Sequence, residues 1–131
     1  RAKGETMIFT LGTGIGCSMF INNVCVPNLE MGHVYLPGHK KDAERYTSDR
    51  ARKEEKLSWK EWGKRLNEYF QHIEFLFSPQ LIIIGGGVSK NSNKFLKYIK
   101  INAKIMPAKL LNEAGIIGAA AGAAAGGDCS L

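Results

Sequence analysis

The chain has few of the groups from which reactive centres and rigid scaffolds are usually built. Its three cysteines, Cys17, Cys25 and Cys129, offer neither an even disulfide framework nor a closely spaced thiolate pair for a metal, so reduced structural thiols are the expectation. No apolar run reaches the roughly 18 to 20 residues of a membrane span. Arg1 to Glu5 are not followed by a secretory core and cleavage site, and the expectation is a soluble, cytoplasmic chain with no membrane partner. No period of about 20 to 50 residues repeats, which excludes a solenoid or propeller. The Gly-Lys-Ser/Thr ending of a P-loop is missing. No helix-turn-helix pattern points to nucleic acid, and none is expected as a partner.

What is present is the composition of one compact domain: 131 residues, 44% of them hydrophobic. The formal net charge of +6 favours an anionic partner, since clustered Lys and Arg raise the local concentration of phosphates. Charge does not say which anion.

Thr6 to Leu11 is a short apolar, β-branched run that stops at Gly12, as a buried strand ending in a loop does. Ser18 to Ile21 and Val24 to Val26 flank Asn22-Asn23, which suits a tight hairpin turn. Gly38 to Lys56 is dense in both charges and reads as a surface excursion, partly helical. Ser58-Trp-Lys-Glu61 is a capping box, with Leu57 placed to staple onto Trp62. Trp59, Trp62, Leu66, Tyr69, Phe70, Ile73, Leu76 and Phe77 then follow helical spacing until Ser78-Pro79, with His72 on the polar side. Leu81 to Ile84 predicts a strand covered on both faces, opening into Gly85-Gly86-Gly87. Ser89 or Ser92 is placed to cap a shorter helix carrying Phe95, Leu96 and Ile99, and Lys104 to Met106 is a weak strand. Asn112 is placed to cap a last, Ala/Gly-rich helix. The alternation predicts a layered α/β domain with a mixed sheet, whose ligands gather beyond the strands' carboxyl ends.

Three segments carry polar chemistry. Gly12-Thr13-Gly14-Ile15-Gly16 is either a backbone cradle for a phosphoryl group, with the Thr13 hydroxyl as an extra donor, or a plain strand-to-strand turn. Gly85-Gly86-Gly87 is either a second such cradle or a simple strand-to-helix connection. Glu30 and His33, three residues apart, suit vicinal hydroxyls, although an E-x-x-H pair is often just a surface carboxylate and a core-edge imidazole.

Four ordered segments resemble the ROK (repressor, open reading frame, kinase) sugar kinases: Leu11 to Gly16, Asn28 to His33, Leu81 to Ser89, and Leu111 to Gly118. Within that family, Leu57 to Trp62, Leu66 to Tyr69 and Phe77 to Pro79 are most similar to the polyphosphate glucokinases, and the similarity covers nearly the whole chain. The resemblance implies an actin-like, ribonuclease-H-like α/β fold, a mixed sheet flanked by helices, with residues 1–131 as the carboxyl-terminal domain of a two-domain kinase. It implies phosphate binding by Gly12, Thr13, Gly14 and Gly16, sugar-hydroxyl ligands in Glu30 and His33, and a nucleotide-side loop in Gly85, Gly86 and Gly87. The reaction implied is phosphoryl transfer from polyphosphate or ATP, with magnesium (Mg2+), to the 6-hydroxyl of glucose. A homodimer is expected of the intact protein, and the aromatic face of Trp59, Trp62, Tyr69 and Phe70 either contributes to it or, more simply, fills the core.

Lys40, Lys41 and Arg45 either line a path for polyphosphate or form a solvated charged face. Val34 to Lys56 contains no Cys, so the zinc cluster of many ROK proteins is not expected, nor any other metal site. The family's Asp-x-Gly-Gly phosphate loop and its Asn-Asp segment with the catalytic base have no counterpart. Of Asp42, Asp49 and Asp128, none has an apolar strand-end setting. The expectation is therefore a chain without its amino-terminal domain, with no catalytic residue of its own and inactive alone. The alternative is a non-catalytic ROK-type sugar sensor.

Overall fold

A computed structural model describes residues 4–108. Among these residues five strands form one mixed sheet, in the spatial order Val24–Val26, Ile15–Ile21, Glu5–Leu11, Leu81–Gly85, Lys104–Pro107. Strands β1 (Glu5–Leu11), β2 (Ile15–Ile21) and β3 (Val24–Val26) are an antiparallel meander. The turn between β2 and β3 uses Asn22 and Asn23 at φ 51° and 70°, left-handed backbone that asparagine tolerates. Strands β4 (Leu81–Gly85) and β5 (Lys104–Pro107) continue the sheet in parallel with β1. Pro107 is accommodated because β5 is an edge strand.

Helix α3 (Trp59–Phe77) covers one face, preceded by two short helices, α1 (Ala43–Thr47) and α2 (Asp49–Glu54). Its capping box forms as the sequence predicts: the Glu61 N–H donates to Ser58 Oγ (3.0 Å) and the Ser58 N–H to Glu61 Oε1 (2.8 Å). Trp62, Leu66, Tyr69, Phe70 and Ile73 pack on Met7, Phe9, Leu11, Ile82 and Ile84, with Phe9 edge-on to Tyr69 and Phe70. Leu57 packs against the same cluster as Trp62, which suits the staple. Residues of opposite parity, Thr6, Ile8, Ser18, Phe20, Leu81 and Ile83, are buried as well, which explains why β4 reads as an unbroken apolar run.

Four details differ from expectation. Strand β2 starts at Ile15 rather than Ser18, so Ile15 and Gly16 belong to the ladder. Neither Ser89 nor Ser92 caps a helix: residues Gly87–Asn91 form a 3-10 turn, and the Ser89 hydroxyl donates to the Gly86 carbonyl (2.8 Å). Helix α4 (Ser92–Phe95) has no side-chain cap and passes into a second 3-10 turn. Cys17 is a buried free thiol, its pKa pushed up to about 12 by burial, whereas Cys25 is disulfide-bonded and departs from the reduced state expected. The expected Asn112 cap and Ala/Gly helix lie outside the described residues.

Gly63 lets α3 cross the chain at Phe95 to Tyr98. A Cβ there would stand 2.7 Å from Tyr98 Cδ2 and 3.1 Å from the Phe95 carbonyl oxygen. Gly63→Ala gains about 1 kcal/mol of helix propensity. Forcing an atom against fixed backbone costs about 1–3 kcal/mol, so a lower urea midpoint is expected. A raised midpoint would contradict the close packing.

Candidate functional site

Parallel pairing of β1 with β4 brings Thr10 opposite Gly85, so both glycine-rich segments leave the sheet at one edge. There they enclose a cleft of about 400 Å³, with Thr13, Gly14 and Gly16 on one side and Gly86 and Gly87 on the other. Gly12 and Glu44 also line it. The first segment is thus a strand-to-strand turn and a cleft wall at once. Gly16 lines the cleft from the ladder opposite Thr10, while Gly85 is the buried last residue of β4 and does not line it.

Backbone bonding leaves donors open in the turn. The Gly12 N–H donates to the Gly14 carbonyl (2.9 Å), and the Gly12 carbonyl accepts from the Arg50 N–H (3.1 Å). The Ile15 N–H donates to Glu44 Oε1 (2.9 Å). The Thr13 and Gly14 N–H groups have no partner among the described residues, so they are the turn's free donors. Gly86 stands at φ 84°, ψ 176°, a region open only to glycine, which lets the second loop turn in against the end of β1.

Glu30 precedes a 3-10 turn, Met31–His33, tied to α3 by the Tyr69 hydroxyl, which donates to the Met31 carbonyl (2.8 Å). Burial raises the Tyr69 pKa well above its ordinary value, so that donor stays protonated. The turn lies beside the first glycine segment. A Cβ on Gly32 would meet Glu44 Oε1 at 3.0 Å and Ile15 Cβ at 3.2 Å, and one on Gly14 would meet the same Glu44 oxygen at 2.7 Å. Glu44, unremarked in the sequence, therefore joins the two. It sits on α1, capped by Asp42, whose Oδ1 accepts the Arg45 N–H.

The His33 ring is fixed by Asp42: Nδ1 lies 3.1 Å from Oδ2, and Nε2 lies 3.5 Å from Glu30 Oε1. Glu30 and His33 are exposed, and neither lines the cleft. The hydrogen bond that the ring donates to Asp42 holds the His33 pKa above its ordinary value, with the charges of Asp42, Glu44 and Glu30 adding to it. Because the folded pKa is raised, the pairing contributes stability fully below the ordinary histidine range. That contribution is lost as pH rises through the raised value. Once neutral, with Nδ1–H donating to Asp42, the ring presents Nε2 as an acceptor. Asp42→Asn should lower the His33 pKa, read from its imidazole NMR shifts. An unmoved titration would remove Asp42 as the cause.

His39 has a partner the sequence did not signal: its Nε2 lies 2.6 Å from Glu68 Oε2, and Tyr46 donates to Glu68 Oε1 (3.0 Å). His72, expected on the polar side of α3, is partly exposed and stacks on Phe75. Lys40, Lys41 and Arg45 are exposed on the approach to α1 and its first turns. Among the described residues no three His, Cys, Asp or Glu side chains converge to hold a metal ion, and no helix is long and apolar enough to cross a membrane.

The mixed sheet flanked by helices is that of the actin-like ATPase fold. No family model matches the chain. A polyphosphate glucokinase of Mycobacterium tuberculosis is 33% identical over 120 residues, covering 92% of this chain. The solved inorganic polyphosphate/ATP-glucomannokinase of an Arthrobacter species is 47% identical over 88% of this chain, with a TM-score of 0.78. The chain spans 44% of the length of the first relative and 45% of the second. The fold is shared with a ROK family glucokinase of Streptomyces griseus solved with glucose and AMPPNP, at 21% identity, a TM-score of 0.67, and coverage of 95% of this chain and 61% of that one. The chain belongs to the ROK sugar kinases, on the side of the polyphosphate glucokinases.

Proposed function

We propose that the intact protein is a glucokinase that moves a phosphoryl group from polyphosphate or ATP to the 6-hydroxyl of glucose. Residues 1–131 are its carboxyl-terminal domain and supply the cradle for sugar and phosphate. The observation that carries this reading is Glu44, against whose Oε1 both the Gly14 turn and the Gly32 turn pack. A sugar held by one turn thereby lies beside a phosphoryl group held by the other, the closeness that transfer requires.

In this reading Glu30 accepts a sugar hydroxyl, neutral His33 accepts another at Nε2, and Glu44 lends its charge to the cleft wall. The free N–H groups of Thr13 and Gly14 take oxygens of the terminal phosphoryl group, and the bare backbone of Gly86 and Gly87 admits the rest of the donor. Magnesium, which such donors carry, finds no site built for it among the described residues: the cleft offers one carboxylate, Glu44, already bonded to Ile15. It would enter with the donor, as its counter-ion.

No described aspartate is free to take the hydroxyl proton. Asp42 is paired with His33, and Asp49 with Arg52 (2.8 Å) and Lys53 (3.3 Å). The chain alone is accordingly expected to bind glucose without turning it over, and a clear rate in a coupled assay would show that a residue here serves as base. A homodimer belongs to the same reading, but it cannot use the aromatic face of α3, since Trp62, Tyr69 and Phe70 are fully buried.

In the complete polypeptide Glu30→Gln replaces a charge-assisted hydrogen bond by a neutral one and should lower kcat/KM for glucose by about tenfold or more. Unchanged kinetics would take Glu30 out of the sugar site. The other reading, a non-catalytic sugar sensor, draws on a shared fold with a ROK family transcriptional regulator. It requires glucose binding with no turnover even in the complete polypeptide.

A further inference from the structure

Asp42 is held from two sides. Its Oδ1 accepts the Arg45 N–H and so caps α1, while its Oδ2 lies 3.1 Å from His33 Nδ1. A carboxylate that closes a helix cannot swing away without uncapping it, and this side chain is only 18% exposed. The other ring nitrogen has a looser neighbour. Glu30 Oε1 stands 3.5 Å from Nε2, too far for a firm hydrogen bond; the Glu30 side chain is 74% exposed and its carboxylate has no other partner among the described residues. One edge of the imidazole is therefore fixed, and the other is open to exchange with a ligand.

Every charge that acts on the ring is negative: Asp42 and Glu44 from α1, and Glu30 from the residue before its own turn. Strand β2 and helix α3, which also meet the Met31–His33 turn, bring Cys17 and Tyr69, and burial keeps both uncharged. Arg45 of α1 is exposed and enters none of the ion pairs among the described residues. The ring consequently keeps a proton on each nitrogen to a higher pH than an ordinary imidazole does. In that state Nε2–H points its charge at Glu30 and can accept nothing. A sugar hydroxyl that donates to Nε2 finds the nitrogen occupied until its proton leaves.

We propose that a hexose and a proton compete for His33 Nε2, so that sugar binding expels the proton, and that Asp42, through its hold on Nδ1, is the positioning residue that governs the exchange. The inference rests on the proposed reading of Glu30 and His33 as sugar ligands. The Nε2–H bond breaks, its electron pair stays on nitrogen to accept the sugar hydroxyl, and the proton passes to the buffer. Only the neutral ring takes the sugar, so affinity is full above the His33 pKa and falls as pH drops through it, approaching about tenfold per pH unit. The Glu30–His33 pair has the opposite sign, since acid strengthens it. Acid closes the pair on itself, and a rise in pH opens it to sugar.

The test is calorimetric titration of glucose into the complete polypeptide, without a phosphoryl donor, between about pH 6 and 8 in PIPES and in imidazole, which take up a proton with different heats. Below the His33 pKa the two buffers should report release of up to about one proton per glucose, and log affinity should fall with a slope approaching about one. His33→Gln, whose amide oxygen accepts but does not titrate, should erase the buffer difference and flatten the profile. Asp42→Ser keeps a cap on α1 but places no charge beside the ring, and should move the break to lower pH by about half a unit or more. A residue that only capped the helix would leave the break in place, and thermal melts report whether each variant folds. Equal heats in the two buffers with affinity independent of pH would overturn the exchange and leave the sugar reading standing. An unmoved break in Asp42→Ser would overturn the role given to Asp42. Absence of glucose binding at every pH would instead sink the sugar reading of Glu30 and His33, and this inference with it.

Discussion

Replacing Trp62 with alanine should lower the stability of the domain by about 3–5 kcal/mol, a large share of the roughly 5–15 kcal/mol that domains possess. The side chain is fully buried and meets Phe95 edge-on at 4.9 Å and Trp59 at 5.9 Å. Its Nε1–H donates to the Thr47 carbonyl at the end of α1 (3.0 Å), so alanine leaves both a cavity and an unsatisfied buried acceptor. Because Glu44 stands one turn earlier on that helix, the loss reaches the cleft. Trp62→Phe keeps most of the volume and removes only the donor, and should cost about 1–3 kcal/mol. Urea unfolding of the two variants checks the order. A Trp62→Ala protein within about 1 kcal/mol of the native one would mean that α1 is not held through this contact.

The parts of the fold that were legible in the sequence are those where burial and periodicity agree. Helix α3 declared itself twice, by its capping box and by the apolar face from Trp62 to Ile73. Strand β4 declared itself by an apolar run bounded by Pro79 and Gly86. Glu44 was illegible because Gly38 to Lys56 carries so much charge that no broad apolar stripe marks a helix. A weaker signal was there: Ala43, Thr47 and Ala51, four residues apart, are the small buried residues by which α1 and α2 lie against the core. Asp42 and Ser48, each three residues before a backbone N–H that it accepts, are their caps. The start of β2 was missed for a different reason. Gly16 looks like loop by composition, but tertiary pairing with Thr10 draws it into the ladder. Of the candidate site, the glycine segments, their common place at the strands' carboxyl ends and the Glu30/His33 pair could be read from sequence. The packing of Glu44 between the Gly14 and Gly32 turns could not, since that carboxylate comes from a segment without periodicity.

That carboxylate should also be the most sensitive position in the cleft. Glu44→Ala removes the acceptor of the Ile15 N–H and the atom against which Gly14 and Gly32 rest. Hydrogen bonds to charged groups contribute about 1.5–3 kcal/mol, so the domain should lose about that much stability, and the two turns lose their common support. In the complete enzyme of the proposed function, the same loss of positioning converts to about a 10- to 100-fold drop in kcat/KM. Glu44→Gln separates the two contributions. Its amide oxygen can still accept from Ile15, so stability should stay close to native, but the negative charge on the cleft wall is gone. The glutamine variant is therefore expected to melt normally while its KM for glucose rises, whereas the alanine variant suffers in both. Alanine kinetics and melting equal to native would show that the two turns hold their places without Glu44, and the cleft would then need another explanation for bringing them together.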